Sequence, residues 1–582
     1  MRRLLSLALV FPALALADIP VGEEVDGAVL VDVTPSGFDT ITSLIPSLIP
    51  GSIVIPDIHM YDYEETCIIW CWDWYEYSLD VNNGWVDIGV NNAQITPGYD
   101  VLDLSATALV TVNNYWDPIY IAFDAYLIEF INIDGTCEGY MDPITVDIWT
   151  PIYVDIVQNP ITMQSELDVT VPDPIWTWNA NGDKLHIDCG TLTDVIDGLN
   201  WVLGIFGVNI YDFVIGPAED LIDEQVMGMI PELEQTIEEA FNAANIHEEF
   251  PITDDVILSI DLAPDDVVIT PSGMRLSMLG AIETDMDECI EEYGIHASLE
   301  TASSDPSIGS APVGLPFQHD VGAFIDDDFL NQAMFGIWYG GLLCQVIEDD
   351  GTLPIALDTN LLGLLAPGVY DEFFSEAVPI MITTRPAKPL EAYAQGPHDV
   401  NVSLTELGLD FHAELDGRMT RMVGVNLEAE AGVDLVFDDQ TGEIVIDVAF
   451  DADDVVPSIT FNEFTPEAND TIVASFSSVF DSLVGPILGG LTGDLAFALP
   501  TFEGLGLTGL KASAAGPSND YFGFFATAGQ PSYPGAGCDD SGGCGDTGGA
   551  GCTTGHLPSR IAFLLLPVLL ACFRRRQQSD RA

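Results

Sequence analysis

GPAEDLIDEQVMGMIPELEQTIEEAFNAANI, Gly216 to Ile246, decides the fold, because it is a long amphipathic segment set between runs that alternate like β-strands. Apolar residues recur at Ile222, Val226, Met229, Ile230, Leu233, Ile237, Ala240, Phe241 and Ala244, the three-and-four spacing of one helical face, while Glu and Asp fill the other. One side of this helix must therefore lie on something apolar. Pro231 interrupts the hydrogen-bond ladder, which predicts a kinked helix or two helices end to end. A second such segment runs from Asn469 to Leu491, with Ile472, Val473, Phe476, Val479, Phe480, Leu483, Val484, Ile487 and Leu488 on its apolar face. Two strand-rich halves, each carrying one such helix, suggest a duplicated module.

The motifs around the helices carry a resemblance. Near the start stand GAVLVDVTPSGFDTITSLIP and GSIVIPDI, a strand, short helix and return strand. IDCGTLTDVIDGLNWVLGIFGVNIYDFVIGPAEDLIDEQV brings a cysteine-bearing strand into the long helix. HDVGAFIDDDFLNQAMFGIWYGGLLCQVI reads as a strand and helix that open a second module, and ALPTFEGLGLTGLKASAAGPSNDYFGFFATAG as closing strands. In this order the motifs resemble the secreted lipid-binding family of bactericidal/permeability-increasing protein, lipopolysaccharide-binding protein and cholesteryl ester transfer protein, the tubular lipid-binding superfamily. The resemblance implies an α+β fold of two tandem modules, each a highly curved antiparallel sheet wrapped on a long amphipathic helix. A central sheet would join them into an elongated, bent body.

It also implies lipid binding, with possible transfer, in an apolar pocket between helix and sheet in each module. Ile222, Val226, Ile230, Leu233 and Ile237 would line the first pocket, and Phe476, Val479, Phe480, Leu483 and Ile487 the second. Their role would be to remove acyl chains from water, at roughly 0.8 kcal/mol per buried methylene. Ordinary core packing is the alternative for each of them, and the alternative for the whole is a cell-surface structural or interaction protein with filled pockets.

The two ends read as addresses. MRRLLSLALVFPALALA has two arginines, an apolar stretch and Ala15-Leu16-Ala17, the pattern of a cleaved signal peptide at 1–17. After the Gly/Cys-rich tether GAGCDDSGGCGDTGGAGCTTG come the apolar run Ile561 to Phe573 and then Arg574, Arg575 and Arg576. That run has 13 residues, short of the roughly 20 that span a bilayer. The tripartite tail resembles the MYXO-CTERM sorting tag of myxobacteria, which implies removal of the helix and display on the surface of a Gram-negative cell, with Cys552 as the anchor. A plain tail anchor is the other reading. The expected organisation is a signal peptide at 1–17, a first module at 18–302, a Pro/Gly/Ser linker at 303–316, a second module at 317–529, the tether at 530–555 and the tag at 556–582.

Charge narrows the partners. Between Asp18 and Gly555 the chain has 92 acidic residues, all but Asp580, against seven bases, a net charge near −85. Such a field repels nucleic acid and anionic headgroups unless divalent cations intervene, which argues against a permeabilising role. Clustered acids such as Asp326, Asp327 and Asp328, or Asp451, Asp453 and Asp454, have calcium as their candidate ligand. None has the spacing of a calcium loop, so a solvated acidic face is expected.

Six cysteines lie in the body: Cys67, Cys71, Cys137, Cys189, Cys289 and Cys344. Export favours disulfides, and six cysteines allow 15 pairings. Cys67 and Cys71 would stand about 13 Å apart on an extended strand, so they pair with each other only across a turn. Cys189 matches the strand cysteine of the resembled family, whose helix partner is missing around Gln225 to Met227. The resemblance then points to Cys137 as its partner. Trp70, Trp72 and Trp74 alternate in IWCWDWYEY, which reads either as a lipid-touching tip or, more simply, as a buried strand face. The chain carries no HExxH, GxSxG, P-loop or dinucleotide fingerprint, so neither an enzyme nor a cofactor is expected.

Overall fold

Strand Val25–Val33 runs through the middle of a seven-stranded antiparallel sheet and pairs on one side with Gly273–Thr284 and on the other with Val321–Asp326. The sheet continues through Ile257–Thr270 to Ile246–Pro251 at one edge, and through Tyr521–Gly529 to Gly506–Ala515 at the other. These relations come from a computed structural model, which describes residues 22–43, 52–55, 57–67, 71–127, 131–158, 164–178, 184–189, 227, 230, 231, 234, 235, 245–251, 256–293, 303–312, 315–348, 356–370, 373–438, 443–450, 454–477, 496–498 and 506–529. Strand Val25–Val33 is buried on both faces, which its run of valines and Leu30 anticipates.

Three further antiparallel sheets complete the described structure, which is mostly sheet with few helices. One has six strands, running from Ser165–Thr170 through Ile144–Gln158, Leu102–Val112 and Gly84–Pro97 to Ser52–Ile55, with Ile175–Trp178 also paired to Ile144–Gln158. A five-stranded sheet runs from Leu185–Asp188 through Ile131–Met141, Ile119–Leu127 and Cys71–Asn82 to Ile58–Cys67. The last is built on the long pair Val400–Leu415 and Arg418–Asp438. Asp416 and Gly417 join that pair with φ of 50° and 74°, the left-handed conformation that an Asp-Gly hairpin turn requires.

Helix α1 (Pro35–Thr42) starts at Thr34, whose hydroxyl accepts from the Gly37 N–H and donates to the His319 carbonyl. Helix α2 (Asp327–Tyr339) follows directly on strand Val321–Asp326 and is buried from Asp327 to Trp338. At Gly336 it comes so close to the sheet that an added Cβ would stand 2.7 Å from a Leu258 methyl. Its buried polar groups are spent on neighbours: the Ile282 N–H donates to Gln332, Asn331 exchanges two hydrogen bonds with the backbone of Ala392, and the Trp338 indole donates to the Pro386 carbonyl. Helix α2 thereby ties the seven-stranded sheet to the strands that follow it. Among the described residues no helix is long and apolar enough to cross a membrane.

Two expectations change. Trp72 and Trp74 lie on strand Cys71–Asn82, but the register skips there, pairing Glu64 with Tyr75 and Glu65 with Asp73. Trp74 is thus an extra residue without an opposite number on strand Ile58–Cys67, a β-bulge. Asp326, Asp327 and Asp328 are not a solvated face, because they are 1%, 9% and 5% exposed at the start of helix α2.

Candidate functional site

Of the residues expected to line the first pocket, Ile230 is among the described residues, as are Met227, Pro231, Glu234 and Gln235 of the same segment. Residues 227, 230, 231, 234 and 235 are helical. Ile230 is half-buried against the main apolar core, whose members include Leu167, Val169 and Val171. Glu234 Oε1 accepts from the Val171 N–H at 2.7 Å, and Asn245 Nδ2 donates to the Ser165 carbonyl at 2.8 Å. Two polar contacts thus fasten the later part of the segment to strand Ser165–Thr170 and the residue that follows it. Ile222, Val226, Leu233 and Ile237 lie outside the described residues.

In the second half, residues 469–477 are helical and present Ile472 and Phe476 to a core shared with Leu361, Leu365, Phe411 and Val425. Asn462 fixes the start of this helix by donating to the Thr465 carbonyl and to Asn469 Oδ1, at 2.6 and 2.8 Å. Thr465 also bonds the buried Tyr370 hydroxyl, and burial holds that phenol above its ordinary pKa. Phe476 is 2% exposed and belongs to the core. Val479, Phe480, Leu483 and Ile487, which continue the same spacing, lie outside the described residues, as do Cys552 and both chain ends.

A disulfide joins Cys137 to Cys189 with Cα atoms 4.1 Å apart, the pairing that the resemblance implies. Its cause is register: Asp188 pairs with Glu138, so the next residue on each side brings Cys189 opposite Cys137. A second disulfide joins Cys289 to Cys344 and fastens the turn after strand Gly273–Thr284 to the exit of helix α2. Cys67 and Cys71 are themselves register partners on paired strands, the arrangement across a turn that the sequence left open.

Two surfaces were not read from sequence. A cleft of about 300 Å³ lies on the face of strands Gly84–Pro97, Leu102–Val112 and Ile144–Gln158, and its wall mixes polar Asn92, Gln94, Thr107 and Asp147 with apolar Ile148, Trp149 and Ile175. The turn at 113–118 carries Tyr115 and Trp116, 67% and 89% exposed and packed edge to face. Asn113 holds this turn by donating to the carbonyls of Asn83 and Asp117, while Asp117 accepts from Asn83 and from the Trp85 indole. The signal was available in NNYWDP, whose Asn, Asp and Pro mark a turn around two aromatics.

Comparison with known proteins gives likenesses of structure at low identity. No family model and no curated protein matches the chain. The crystal structure of lipopolysaccharide binding protein aligns at 14% identity and a TM-score of 0.44, over 87% of this chain and 100% of that one. P47 of Clostridium botulinum E1 aligns at 9% identity and a TM-score of 0.25, covering 86% of this chain and 98% of its own. Takeout 1 of Epiphyas postvittana aligns at 10% identity and a TM-score of 0.18, over 35% of this chain and 89% of that one.

Proposed function

We propose that the chain is an exported, surface-displayed lipid-binding protein, built of two modules at 18–302 and 317–529, that holds acyl chains between each long helix and its sheet. The observation that carries this reading is Ile230, half-buried on a helix that Glu234 and Asn245 fasten to strand Ser165–Thr170. Ile230 packs only partly against the main apolar core, which leaves part of its surface on the apolar face of the helix to be completed by something other than side chains. Ile222, Val226, Leu233 and Ile237 extend that face by sequence spacing, and Val479, Phe480, Leu483 and Ile487 do so in the second half beyond Phe476. The motif order quoted above supports the same reading.

The rival, a structural or interaction protein with filled pockets, draws support from Phe476 and Ile472, which are fully enclosed by neighbouring side chains. Display at the cell surface would follow from the signal peptide and from processing of the tail at the tag, with Cys552 as the anchor. Contact with a lipid boundary is best suited to Tyr115 and Trp116, since an exposed indole favours that zone and the acidic body disfavours anionic headgroups. Calcium on the acidic surface would moderate that repulsion.

The test is mass spectrometry of organic extracts from the purified body. Stoichiometric acyl lipid supports carriage. Lipid-free protein that takes up no fluorescent fatty acid in detergent-free buffer favours the filled-pocket reading instead.

A further inference from the structure

Strands Gly84–Pro97, Leu102–Val112, Ile144–Gln158 and Ile175–Trp178 lie side by side, and their registers line up two rows of side chains across all four. Asn92 stands opposite Thr107, Thr107 opposite Asp147, and Asp147 opposite Thr177. Two residues along each strand, Gln94 stands opposite Ser105, Ser105 opposite Trp149, and Trp149 opposite Ile175. Side chains two apart on a strand share a face, so both rows belong to one surface, and both line the cleft of about 300 Å³. The other face of these strands carries Ile95, Leu102 and Ile152 into the main apolar core. The cleft is therefore on the far side of the sheet from any acyl chain held against that core.

A bulge in strand Gly84–Pro97 builds this surface. Ahead of it the even positions face inward, with Val86 buried and Ile88 and Val90 half-buried. The register then skips from Val90 opposite Ala108 to Asn92 opposite Thr107, and beyond the skip the buried residues are Ile95 and Pro97. Without the extra residue, Asn92 and Gln94 would continue the inward face of Val86 and Val90. With it, both amides stand outside, beside Thr107 and Ser105.

The chemistry of the two rows selects a ligand. Trp149 and Ile175 are 42% and 62% exposed and give one end of the cleft an apolar platform. The amides of Asn92 and Gln94 and the hydroxyls of Ser105, Thr107 and Thr177 can each donate and accept, while Asp147 accepts. Thr107 Oγ1 donates to Asp147 Oδ1 at 3.0 Å, and among the described residues the side chains of Asn92, Gln94, Ser105 and Thr177 have no hydrogen-bond partner. An acyl chain laid here would take water from these groups and return no hydrogen bond. An anion would meet the Asp147 carboxylate with no basic residue in the wall to offset it. The surface instead matches an uncharged molecule with one apolar face and a rim of groups that both donate and accept, which describes a sugar ring.

We propose that this cleft binds a neutral saccharide, with the C–H face of one ring on the Trp149 indole and the ring hydroxyls on Asn92, Gln94, Thr107 and Asp147. Small-molecule sites range from about 300 to 1,000 Å³, so the cleft suits a short saccharide or the end of a longer one. Four neighbouring strands hold the contacting side chains, which fixes their spacing before any ligand arrives.

The full chain is titrated by calorimetry with cellotriose, maltotriose, mannotriose and tri-N-acetylchitotriose, and with tetramethylammonium chloride as a cationic comparison. Concentrations up to about 10 mM nearly fill even a site with a Kd of about 1 mM. The expected result is saturable binding of at least one saccharide. Trp149→Ala should weaken it about tenfold or more, and Asn92→Ala with Gln94→Ala about threefold or more. Trp116→Ala, which removes an exposed indole elsewhere, should leave it unchanged. Co-purified lipid should be the same in Trp149→Ala as in the wild type, so the outcome for lipid carriage is read separately. The proposal is overturned if none of the saccharides binds, if Trp149→Ala binds as tightly as the wild type, or if tetramethylammonium alone binds and Trp149→Ala abolishes it, which would assign the cleft to a cation. Should Trp149→Ala fail to fold, the Asn92 and Gln94 double variant decides.

Discussion

Arg275 and Asp32 stand opposite each other on neighbouring strands and share two hydrogen bonds, Nε to Oδ1 at 2.7 Å and Nη2 to Oδ2 at 2.9 Å. Asp32 is fully buried and also accepts from the Gly309 N–H at 3.1 Å, so the 303–312 segment is fastened to the same carboxylate. The Arg275 guanidinium lies 5.8 Å from the centre of the Phe324 ring. One ion pair therefore fixes strand Val25–Val33, strand Gly273–Thr284 and the chain that leads on to strand Val321–Asp326.

Removing one partner strands a buried charge, whereas removing both does not. Arg275→Met should cost about 3 to 5 kcal/mol in urea unfolding, and adding Asp32→Leu should restore a large part of it. A double variant as unstable as the single one would show that the loss comes from packing rather than from the unpaired carboxylate.

Both disulfides close long loops, with sequence separations of 52 and 55 residues. Loop entropy then assigns about 4 kcal/mol to each, so Cys137→Ala and Cys289→Ala should each lower the unfolding midpoint strongly. Cys67 and Cys71 are register partners, and paired residues of an antiparallel sheet have Cα atoms about 4.5 to 5.5 Å apart, inside the roughly 4.4 to 6.8 Å that a disulfide spans. Non-reducing peptide mapping should yield Cys137 with Cys189, Cys289 with Cys344, and Cys67 with Cys71. A free thiol at Cys67 in oxidised, folded protein would remove the third bond.

How much of this was legible depended on whether the signal was local. Strand Val321–Asp326 and helix α2 were legible because their motif, HDVGAFIDDDFLNQAMFGIWYGGLLCQVI, is written in consecutive residues. Asp326, Asp327 and Asp328 were misread as solvated, since charge alone favours the surface and the burial comes from strand Tyr521–Gly529, far away in sequence. The bulge at Trp74 was invisible for a related reason: it is a mismatch between two strands, and neither strand records it alone. The candidate lipid site was legible as an apolar helical face, while what covers Ile230 depends on strand Ser165–Thr170, which the spacing of the helix cannot specify.

His319 gives the pH prediction. It is 5% exposed, its Nε2 has no hydrogen-bond partner among the described residues, and its ring packs edge-on against Phe525 at 5.2 Å. Burial lowers its pKa from the ordinary 6.5, and the charges of Asp32 and Asp320 only partly oppose this. The unfolded chain therefore takes up the proton first as pH falls. Stability from the neutral imidazole is fully present above pH 6.5 and is lost as pH falls below that value through the folded pKa. His412, lowered by burial, acts with the same sign, and Asp326, raised by burial, acts with the opposite sign. His319→Phe should flatten the decline of melting temperature just below pH 6.5, and an unchanged decline would assign it to other groups.

Lipid carriage is tested by separating pocket from core. Phe476 is enclosed at 2% exposure, so Phe476→Ala should cost about 3 to 5 kcal/mol whether or not a ligand is present. Ile230 is half-buried, and Phe480 follows Phe476 by one helical turn in sequence. If acyl chains complete the faces that these two residues occupy, Ile230→Asn and Phe480→Asn should lose co-purified lipid and fluorescent fatty-acid uptake while losing less stability than a polar change in the core, where an unpaired group costs about 1 to 3 kcal/mol beyond the lost packing. Thermal melts of the delipidated proteins, run beside the lipid measurements, make the comparison. Should Ile230→Asn and Phe480→Asn keep their lipid while Phe476→Ala loses it only through unfolding, the pockets lie elsewhere; should the unmutated body carry and take up none, the helices simply fill their own sheets.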